Sequence, residues 1–347
     1  MPWRRVLSAA AGAVDRAAVA AIHARGARDR ARAEKMPHDE RMRALEAIAG
    51  MYPGAHDTFF GAPHAIDPTL REVRPGVWDA AWASTFTPFL PEVAEKYLSR
   101  VENRTARARL FLGAASGRPA VIAVHGYLGG HWVVEEAAWP VAWLRRIGLD
   151  VALPVLPFHG LRGGPQRGAP PFPSADPRMT NEGFRQAVAD LSALARFLRD
   201  RGASKVGVIG MSLGGYTSAL LATATDAFDF VAPIIPLASV ADFARDQGRL
   251  GEGDLALEQH AALERANWIV SPLSRPLRVP VSRALIVAAE NDRITPTSHA
   301  ERLATHFGCD MVTVSGGHLV QLGRREGFGA IATMLAREGI IAERRRR

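Results

Sequence analysis

The sequence contains a single cysteine, Cys309, and this scarcity excludes two kinds of cysteine chemistry. One thiol cannot form an intramolecular disulfide, and it cannot supply a multi-cysteine metal site. Long, purely apolar runs are also lacking, so we expect no transmembrane helix. The single cysteine suits a protein of the reducing cytoplasm.

Lysine is scarce as well, and the net charge of +8 comes almost wholly from arginine. The arginines are spread along the chain and accompany no nucleic-acid-binding motif, so we expect no nucleic-acid partner. A basic excess also suits an anionic membrane surface, and that alternative stays open. The 347 residues, 48% of them hydrophobic, suffice for one large α/β domain with additions or for two smaller domains.

Residues 1–106 are predicted to form a helical and irregular extension packed on the core. From Arg4 to Ile48 the sequence is rich in alanine and arginine, and it has apolar residues near helical spacing at Val6, Leu7, Val14, Ala18 and Ile22. Asp15 and Arg16 interrupt its apolar stretch, which argues against a secretory signal. The pattern favours a surface helix packed on the domain, with a peripheral membrane helix as the alternative. Residues 51–106 contain many prolines and are predicted to be irregular.

Residues 107–338 alternate between strand-like and helical patterns. Strands are predicted at 107–112, 120–124, 150–156, 206–209, 228–235, 283–289 and 310–314. Helices between them include one predicted over 136–147 and a long one from Thr180 or Asn181 to about Arg201. Such alternation predicts a mostly parallel α/β sheet with helices on both faces and ligands at the carboxyl ends of its strands. The polar segment of about 239–280 is predicted to be a helical cap over that crevice, and residues 339–347 a basic tail.

The chain is organised around Gly210-Met211-Ser212-Leu213-Gly214, which fits the pattern G-x-S-x-G. A short apolar strand precedes it, and a helix of small and apolar residues follows. A strand that turns directly into a helix brings two backbones close together, so glycines must flank the turning residue. Ser212 is left projecting at the helix N-terminus, where a free backbone N–H favours a developing oxyanion. This context, rather than the pattern alone, predicts Ser212 as a nucleophile.

Two further stretches are predicted to border the same crevice. The turn His125-Gly126-Tyr127 follows a buried strand, where a backbone N–H can point at a substrate oxygen; an ordinary βα turn is the alternative. His125 and Gly126 are therefore candidate substrate-site residues. In the loop that begins at Pro157, His159 and Arg162 are predicted either to touch substrate or to be solvated.

An acid and a histidine each follow a later strand, in the chain order Ser…Asp…His. The histidine is His318, preceded by two glycines. A serine hydroxyl needs an imidazole to take its proton, and a carboxylate fixes the imidazole tautomer. Asp242, Glu290 and Asp292 are alternatives for the acid. We favour Asp292, which lies deepest in its turn, while Asp242 would serve as a helix cap and Glu290 continues a strand.

Together these motifs resemble the α/β-hydrolase superfamily over about residues 107–338, and most closely the group named for α/β-hydrolase-domain-containing protein 18. The resemblance is carried by HGY at 125–127, PVLPFHGLRGG at 154–164, GMSLGG at 210–215, APIIPL at 232–237, ENDRITP at 290–296 and GCDMVTVSGGHLV at 308–320. It implies Ser212 as nucleophile, Asp292 as acid and His318 as base. It also implies the backbone N–H groups of Tyr127 and Leu213 as oxyanion donors. The HGGG motif of lipases and esterases is absent, so the substrate preferences of that subgroup do not carry over.

We therefore expect a serine hydrolase that cleaves a small-molecule or lipid-like carboxylic ester through an acyl-enzyme, without a metal or organic cofactor. A serine peptidase or an acyltransferase would use the same three residues. A non-catalytic ligand-binding protein could keep the fold, although such proteins usually lack one member of the triad.

Overall fold

The computed structural model describes residues 8, 10–15, 36–52, 58–164 and 169–343. Nine strands form its sheet: β1 (Thr69–Arg74), β2 (Val77–Ala83), β3 (Thr105–Phe111), β4 (Ala120–Val124), β5 (Asp150–Pro154), β6 (Val206–Met211), β7 (Phe230–Ile234), β8 (Leu285–Ala289) and β9 (Asp310–Val314). Their order across the sheet is β1-β2-β3-β5-β4-β6-β7-β8-β9. From β5 to β9 all neighbours pair in parallel, whereas β1, β2 and β3 join antiparallel.

The helices are α1 (His38–Gly50), α2 (Pro91–Leu98), α3 (Trp132–Ala138), α4 (Val141–Arg146), α5 (Pro177–Asp200), α6 (Leu213–Ala224), α7 (Val240–Asp246), α8 (Gly253–Ala266), α9 (Thr297–Phe307) and α10 (Arg324–Arg337). Short 3₁₀ turns span Val101–Arg104, Gly160–Arg162, Trp268–Val270, Pro272–Ser274 and Val281–Arg283. Residues 8 and 10–15 are also helical.

Both faces of the sheet are covered, because its central strands are apolar on both sides. On β6, Val208 packs into a core shared with α5 and α6, while the next residue, Ile209, packs into a core shared with α4 and α10. A parallel strand buried on two faces is a continuous apolar run, and this is how 206–209 appears in the sequence. The predicted fold class, a mostly parallel sheet with helices on both faces, is confirmed.

The prediction that residues 51–106 are irregular is wrong for 69–83 and 91–98. They contain the β1–β2 hairpin and α2, and the hairpin extends the sheet beyond β3. The prolines border these elements instead of interrupting them: Pro68 precedes β1, Pro75 lies in the hairpin turn and Pro91 opens α2. Because proline fixes φ and lacks an N–H, these positions tolerate it where a strand interior would not.

Two helix boundaries also differ from prediction. The helix expected over 136–147 is divided into α3 and α4, with Pro140 at the N-cap of α4. The long helix α5 begins at Pro177 rather than near Thr180, and the carboxylate of Asp176 caps it by accepting the N–H of Arg178 at 3.0 Å. Proline at the first helical position needs no N–H partner, which allows this earlier start.

The ends of the chain are described only in part. Residues 4–7, 9 and 16–35 of the predicted N-terminal helix lie outside the described residues, as do 344–347 of the predicted basic tail. Ile340 and Ile341 are buried in the core, so the domain continues past residue 338. None of the described helices is both long and apolar enough to cross a bilayer. Peripheral membrane contact of the N-terminal segment stays a prediction.

Candidate active site

Ser212 stands between β6, which ends at Met211, and α6, which begins at Leu213. Its backbone has φ 56° and ψ −115°, a conformation that costs a non-glycine residue strain. The Ser212 N–H donates to the carbonyl of Ile234 at 3.0 Å, and the Ser212 carbonyl accepts from the N–H of Tyr216 at 3.0 Å. These bonds from β7 and from the first turn of α6 hold the strained residue in place.

Glycine is required on both sides of this serine. A Cβ at Gly210 would collide with the carbonyl of Gly214, and a Cβ at Gly214 would collide with the carbonyl of Val124 at the end of β4. The helix therefore starts directly against β4 and β6, which explains the G-x-S-x-G spacing in physical terms.

Asp292 and His318, from the turns after β8 and β9, are in contact. Asp292 Oδ2 lies 2.7 Å from His318 Nδ1, and the two residues are only 4% and 8% exposed. The other carboxylate oxygen, Oδ1, accepts the N–H groups of Ile294 at 2.8 Å and Thr295 at 2.7 Å. The acid is thus fixed by its own turn and presents one oxygen to the imidazole.

Thr295 is a member of this site that sequence reasoning missed. Its hydroxyl lies 3.0 Å from Asp292 Oδ2 and 3.0 Å from His318 Nδ1, and it donates to the carbonyl of Ile235 at 3.0 Å. The signal in the sequence was the spacing Asp-x-x-Thr. An aspartate that accepts the N–H three residues later brings that side chain beside its own carboxylate.

The end of β7 and the side chain of Gln321 join the three turns. Ile234 accepts from the Ser212 N–H, and the next carbonyl, Ile235, accepts from the Thr295 hydroxyl. Gln321 Nε2 donates to the His318 carbonyl at 3.2 Å and lies 4.0 Å from the sulfur of Met211. The turns that carry Ser212, Asp292 and His318 therefore meet at the carboxyl edge of the sheet.

The two other candidate acids lie elsewhere. Glu290 is exposed. Asp242 accepts from His260 Nε2 at 2.8 Å and pairs with Arg302. Burial acts to raise the pKa of Asp242, but the hydrogen bonds from His260 and Arg302 outweigh it and lower that pKa. Asp242 is not the cap of α7 either, because Ser239 Oγ accepts the Asp242 N–H at 3.0 Å and fills that role.

Among the described residues, Asp242, His260 and Glu264 form a cluster with metal-ligand composition, their ligand atoms lying within 4.8 Å of one another. Arg302 bridges the two carboxylates and bonds Glu264 at 2.7 Å, while Arg245 lies 3.2 Å from Asp242. A cation would have to displace both guanidinium groups. The cluster is an ion-pair network that connects α7, α8 and α9.

The turn after β4 faces Ser212. A Cβ added at Gly126 would lie 3.6 Å from the Ser212 Cβ and 3.4 Å from the Met211 carbonyl oxygen. Tyr127 follows and is 40% exposed. Strands β4 and β6 are neighbours in the sheet. The turn after β4 and Leu213, which begins α6 just after β6, therefore both lie next to the serine. The oxyanion role of the Tyr127 and Leu213 N–H groups stays a prediction.

The His125 side chain is buried and bonds to the backbone of this turn instead of reaching the crevice. It is 1% exposed, its Nδ1–H donates to the Gly126 carbonyl at 2.7 Å, and its Nε2 accepts the Leu156 N–H at 3.0 Å. Burial lowers the His125 pKa to about 4, so the ring is neutral. Because both ring nitrogens are bonded to backbone, the expectation of a substrate contact is corrected.

The loop with His159 and Arg162 is folded inward, contrary to both sequence-based alternatives. His159 has no exposed surface, its Nδ1–H donates to the Pro157 carbonyl at 2.8 Å, and burial lowers its pKa to about 3. Its ring packs edge-to-face with the ring of Tyr127, with centroids 5.7 Å apart. Arg162 is 1% exposed and pairs with Asp190 on α5 at 2.8 Å. These side chains support the site and do not present groups to a substrate.

The segment 239–280 contains α7, α8 and two 3₁₀ turns, and it contacts the turn of Asp292. Gln247 Nε2 donates to the Ile294 carbonyl at 3.0 Å. On its other side α8 packs against α1, where His38 lies 2.9 Å from Glu258 and Arg265 pairs with Glu46. The predicted cap thus lies between α1 and the turn that carries Asp292.

Residues 161–312 match the sequence model of the Prolyl oligopeptidase family, a span that includes Ser212 and Asp292 and ends before His318. Two curated relatives, the uncharacterized proteins Rv2627c and MT2702 from two strains of Mycobacterium tuberculosis, are 32% identical to this chain over 271 residues. The match covers 75% of this chain and 65% of the relatives, so the chain spans about two thirds of their length.

Solved structures resemble the whole domain. The acetyl xylan esterase 1 from Thermoanaerobacterium sp. JW/SL YS485 has a TM-score of 0.54 at 17% identity, covering 86% of this chain and 93% of that one. The acetyl xylan esterase from Paenibacillus sp. R4 has a TM-score of 0.53 at 15% identity, covering 84% and 92%. Identities this low establish the fold alone, and the chain has the α/β-hydrolase fold.

Proposed function

We propose that the protein is a serine hydrolase that cleaves carboxylic esters through an acyl-enzyme on Ser212. The observation that carries the proposal is a strained serine at a strand–helix turn, next to strand ends that hold a 2.7 Å carboxylate–imidazole pair. Strain of this kind is costly, so it persists where a side chain has to be presented in one direction. The position and order of the three residues fit nucleophilic catalysis by serine.

In the proposed first half-reaction, Ser212 Oγ attacks the ester carbonyl carbon while His318 Nε2 takes the hydroxyl proton. Asp292 accepts the Nδ1–H and stabilises the imidazolium that forms. The carbonyl electron pair moves onto oxygen, where the N–H groups of Tyr127 and Leu213 stabilise the charge. When the tetrahedral intermediate collapses, the ester C–O bond breaks and His318 gives its proton to the leaving alcohol.

The second half-reaction repeats these steps with water. His318 takes a proton from water as the water oxygen attacks the acyl carbon, and the bond to Ser212 Oγ breaks with return of that proton to the serine. The carboxylic acid is released, and each proton and electron pair is accounted for without a cofactor.

The surface around the site favours an apolar substrate part. Tyr127 in the turn after β4 is 40% exposed, and Leu319 and Val320, which directly follow His318, are 55% and 39% exposed. When a substrate covers solvated apolar side chains beside the reactive groups, the complex is stabilised by about 25 cal/mol per Å² of apolar surface buried. We therefore propose an ester with an apolar acyl or alcohol part.

The test is labelling with a fluorophosphonate, mapping of the label by mass spectrometry, and a panel of p-nitrophenyl esters of increasing acyl length. We expect the label on Ser212, and loss of label and turnover in Ser212→Ala. Ser298→Ala, at an exposed serine on α9, is the matched control and should behave as wild type. Unchanged ester turnover in Ser212→Ala would refute the proposal.

A serine peptidase is the second candidate, favoured by the match of residues 161–312 to the Prolyl oligopeptidase family. An amide leaves as an amine only after protonation, so this reaction makes stronger demands on His318 as an acid. The two functions separate when one acyl group is offered as a p-nitrophenyl ester and as a p-nitroanilide. Amide turnover comparable to ester turnover would favour the peptidase, and product formed with added alcohol or thiol would reveal acyl transfer.

A further inference from the structure

The helical residues near the N-terminus present one face to the candidate active site. Ser8, Ala11, Gly12 and Asp15 follow each other at spacings of three, one and three residues, which places them on one side of a helix. Ser8 and Asp15 have no exposed surface. This face, which we call the N-terminal clamp, rests on the turns after β8 and β9.

Asp15 bonds to both of those turns with one carboxylate. Its Oδ2 accepts the N–H of His318 at 2.6 Å and the N–H of Arg293 at 3.3 Å. Its Oδ1 accepts the N–H of Leu319 at 2.9 Å. One side chain, 303 residues away from the histidine, thus holds the turn that carries Asp292 and the turn that carries His318.

Ser8 repeats the arrangement two helical turns earlier. Its hydroxyl oxygen accepts the N–H of Gly316 at 2.8 Å and the side-chain amide of Asn291 at 2.7 Å. The two glycines of the contact permit close approach: a Cβ at Gly12 would lie 3.0 Å from the Asn291 carbonyl oxygen, and one at Gly317 would lie 2.5 Å from Asp15 Oδ2. Ser8 and Asp15 therefore each bond to the turn that carries Asp292 and to the turn that carries His318.

Building on the proposed function, we propose that Asp15 and Ser8 are positioning residues that hold Asp292 and His318 in register, so that turnover depends on the N-terminal clamp. Hydrogen bonds from backbone N–H groups to a carboxylate are directional and stronger than neutral ones, so they fix where each turn lies. Misplacing a catalytic group by about 1 Å can cost about 10²-fold in rate. The clamp acts through the histidine and the acid and contacts no reacting atom.

The first test compares Asp15→Ala, Asp15→Asn and Ser8→Ala in the full-length protein, with Val14→Ala as the control because Val14 is 46% exposed on the same helical segment. For a p-nitrophenyl ester we expect kcat to fall about 10- to 100-fold in Asp15→Ala, with KM changed less than about threefold. Asp15→Asn keeps one acceptor oxygen and should restore part of kcat. A purely structural role would instead lower the melting temperature and leave kcat of the folded protein unchanged, which would overturn the proposal.

The second test is a double-mutant cycle between Asp15→Ala and Asp292→Asn, read as the rate of Ser212 labelling by a fluorophosphonate. If Asp15 acts through the Asp292–His318 pair, removing it from Asp292→Asn should slow labelling less than about threefold further. Fully additive losses would contradict the proposal.

Amide hydrogen exchange of residues 290–296 and 315–322 needs no turnover and separates this inference from the function itself. We expect faster exchange in both segments in Asp15→Ala and unchanged exchange in Val14→Ala. Inactivity of the wild type on every ester would refute the proposed function, and exchange would still decide the role of the clamp. Unchanged exchange in Asp15→Ala would overturn the proposed positioning role of the clamp.

Discussion

The hydroxyl of Thr295 lies 3.0 Å from both the Asp292 carboxylate and the His318 ring nitrogen that faces it. Removing it in Thr295→Val takes away the hydrogen bond to the Ile235 carbonyl that holds the Asp292 turn against the end of β7, worth about 0.5–1.5 kcal/mol. We expect kcat for a p-nitrophenyl ester to fall about 3- to 10-fold, and Thr295→Ser, which keeps the hydroxyl, to stay within about twofold of wild type. Equal losses in both variants would assign the effect to the lost methyl group instead.

Asp292 and Asp242 should separate in their effects. Asp292→Asn leaves His318 in place with the wrong tautomer, and a loss of about 10⁴-fold in turnover is expected by analogy with the serine protease case. Asp242 bonds His260 and Arg302 instead, so Asp242→Asn should lower the urea midpoint and leave kcat close to wild type. An inactive Asp242→Asn beside an active Asp292→Asn would show that the acid is assigned wrongly.

Arg162 should matter for stability and not for substrate binding. Its partner Asp190 is 5% exposed, so Arg162→Met leaves an unpaired buried carboxylate, at a cost of about 3–5 kcal/mol in the free energy of unfolding. The control is Arg196→Met, which breaks an exposed pair with Asp200 at 3.8 Å and should cost less than about 1 kcal/mol. Urea unfolding measures both. A large rise in KM with unchanged stability in Arg162→Met would restore the substrate role.

Acid should destabilise the fold through His125. Burial lowers its pKa from 6.5 to about 4, so between those values the unfolded chain binds a proton that the folded protein does not. The stabilisation is present above pH 6.5 and is lost as the pH falls toward 4, by about 2 kcal/mol at pH 5.

The variant His125→Asn keeps a donor near the Gly126 carbonyl and cannot titrate in this range. It should be less stable than wild type at pH 7.5, and the difference in unfolding free energy should shrink by about 2 kcal/mol at pH 5. His64→Asn, at an exposed histidine, is the control. A difference that stays constant with pH in His125→Asn would contradict the assigned neutral state.

We expect the cap to contact the apolar part of the substrate and so to set the preference for acyl-chain length. Leu257 and Trp268 of this segment are 65% and 39% exposed, so both are free to contact an acyl chain. In Leu257→Ala and Trp268→Ala, kcat/KM for a long-chain ester should fall about 3- to 10-fold, since each buried CH₂ contributes about 0.8 kcal/mol, while an acetyl ester changes less than twofold. Val281→Ala, at an exposed valine outside the cap, is the control. Parallel losses for all esters would make the segment structural.

Local patterns predicted the centre of the fold well and its borders poorly. The strands 120–124 and 310–314 have the predicted bounds, and Ser212 lies at the predicted strand–helix turn, because β-branched and apolar residues form each strand and a glycine lies within two residues of its end. The β1–β2 hairpin was missed, since its prolines were read as breakers although they stand at the ends of its elements.

Long-range contacts account for the remaining differences in the site. The buried position of the Arg162 side chain depends on its partner Asp190 on a separate helix, and the bond from Asp15 to His318 spans 303 residues. No periodicity in a sequence encodes such partners. The interruption of an apolar stretch by Asp15 was visible, and the structure supplies its reason: the carboxylate is needed where three backbone N–H groups converge.

The hairpin also determines how the sheet ends. Among the strands that the structure describes, β1 is the outermost on its side, and Arg71, Glu72 and Arg74 are exposed along it. An unpaired strand edge is a template for pairing with another chain, and charged side chains together with an irregular register disfavour that pairing. The register of β1 shifts between Glu72 and Arg74. The hairpin therefore gives a nine-stranded sheet a charged border that opposes edge-to-edge aggregation between neighbouring molecules.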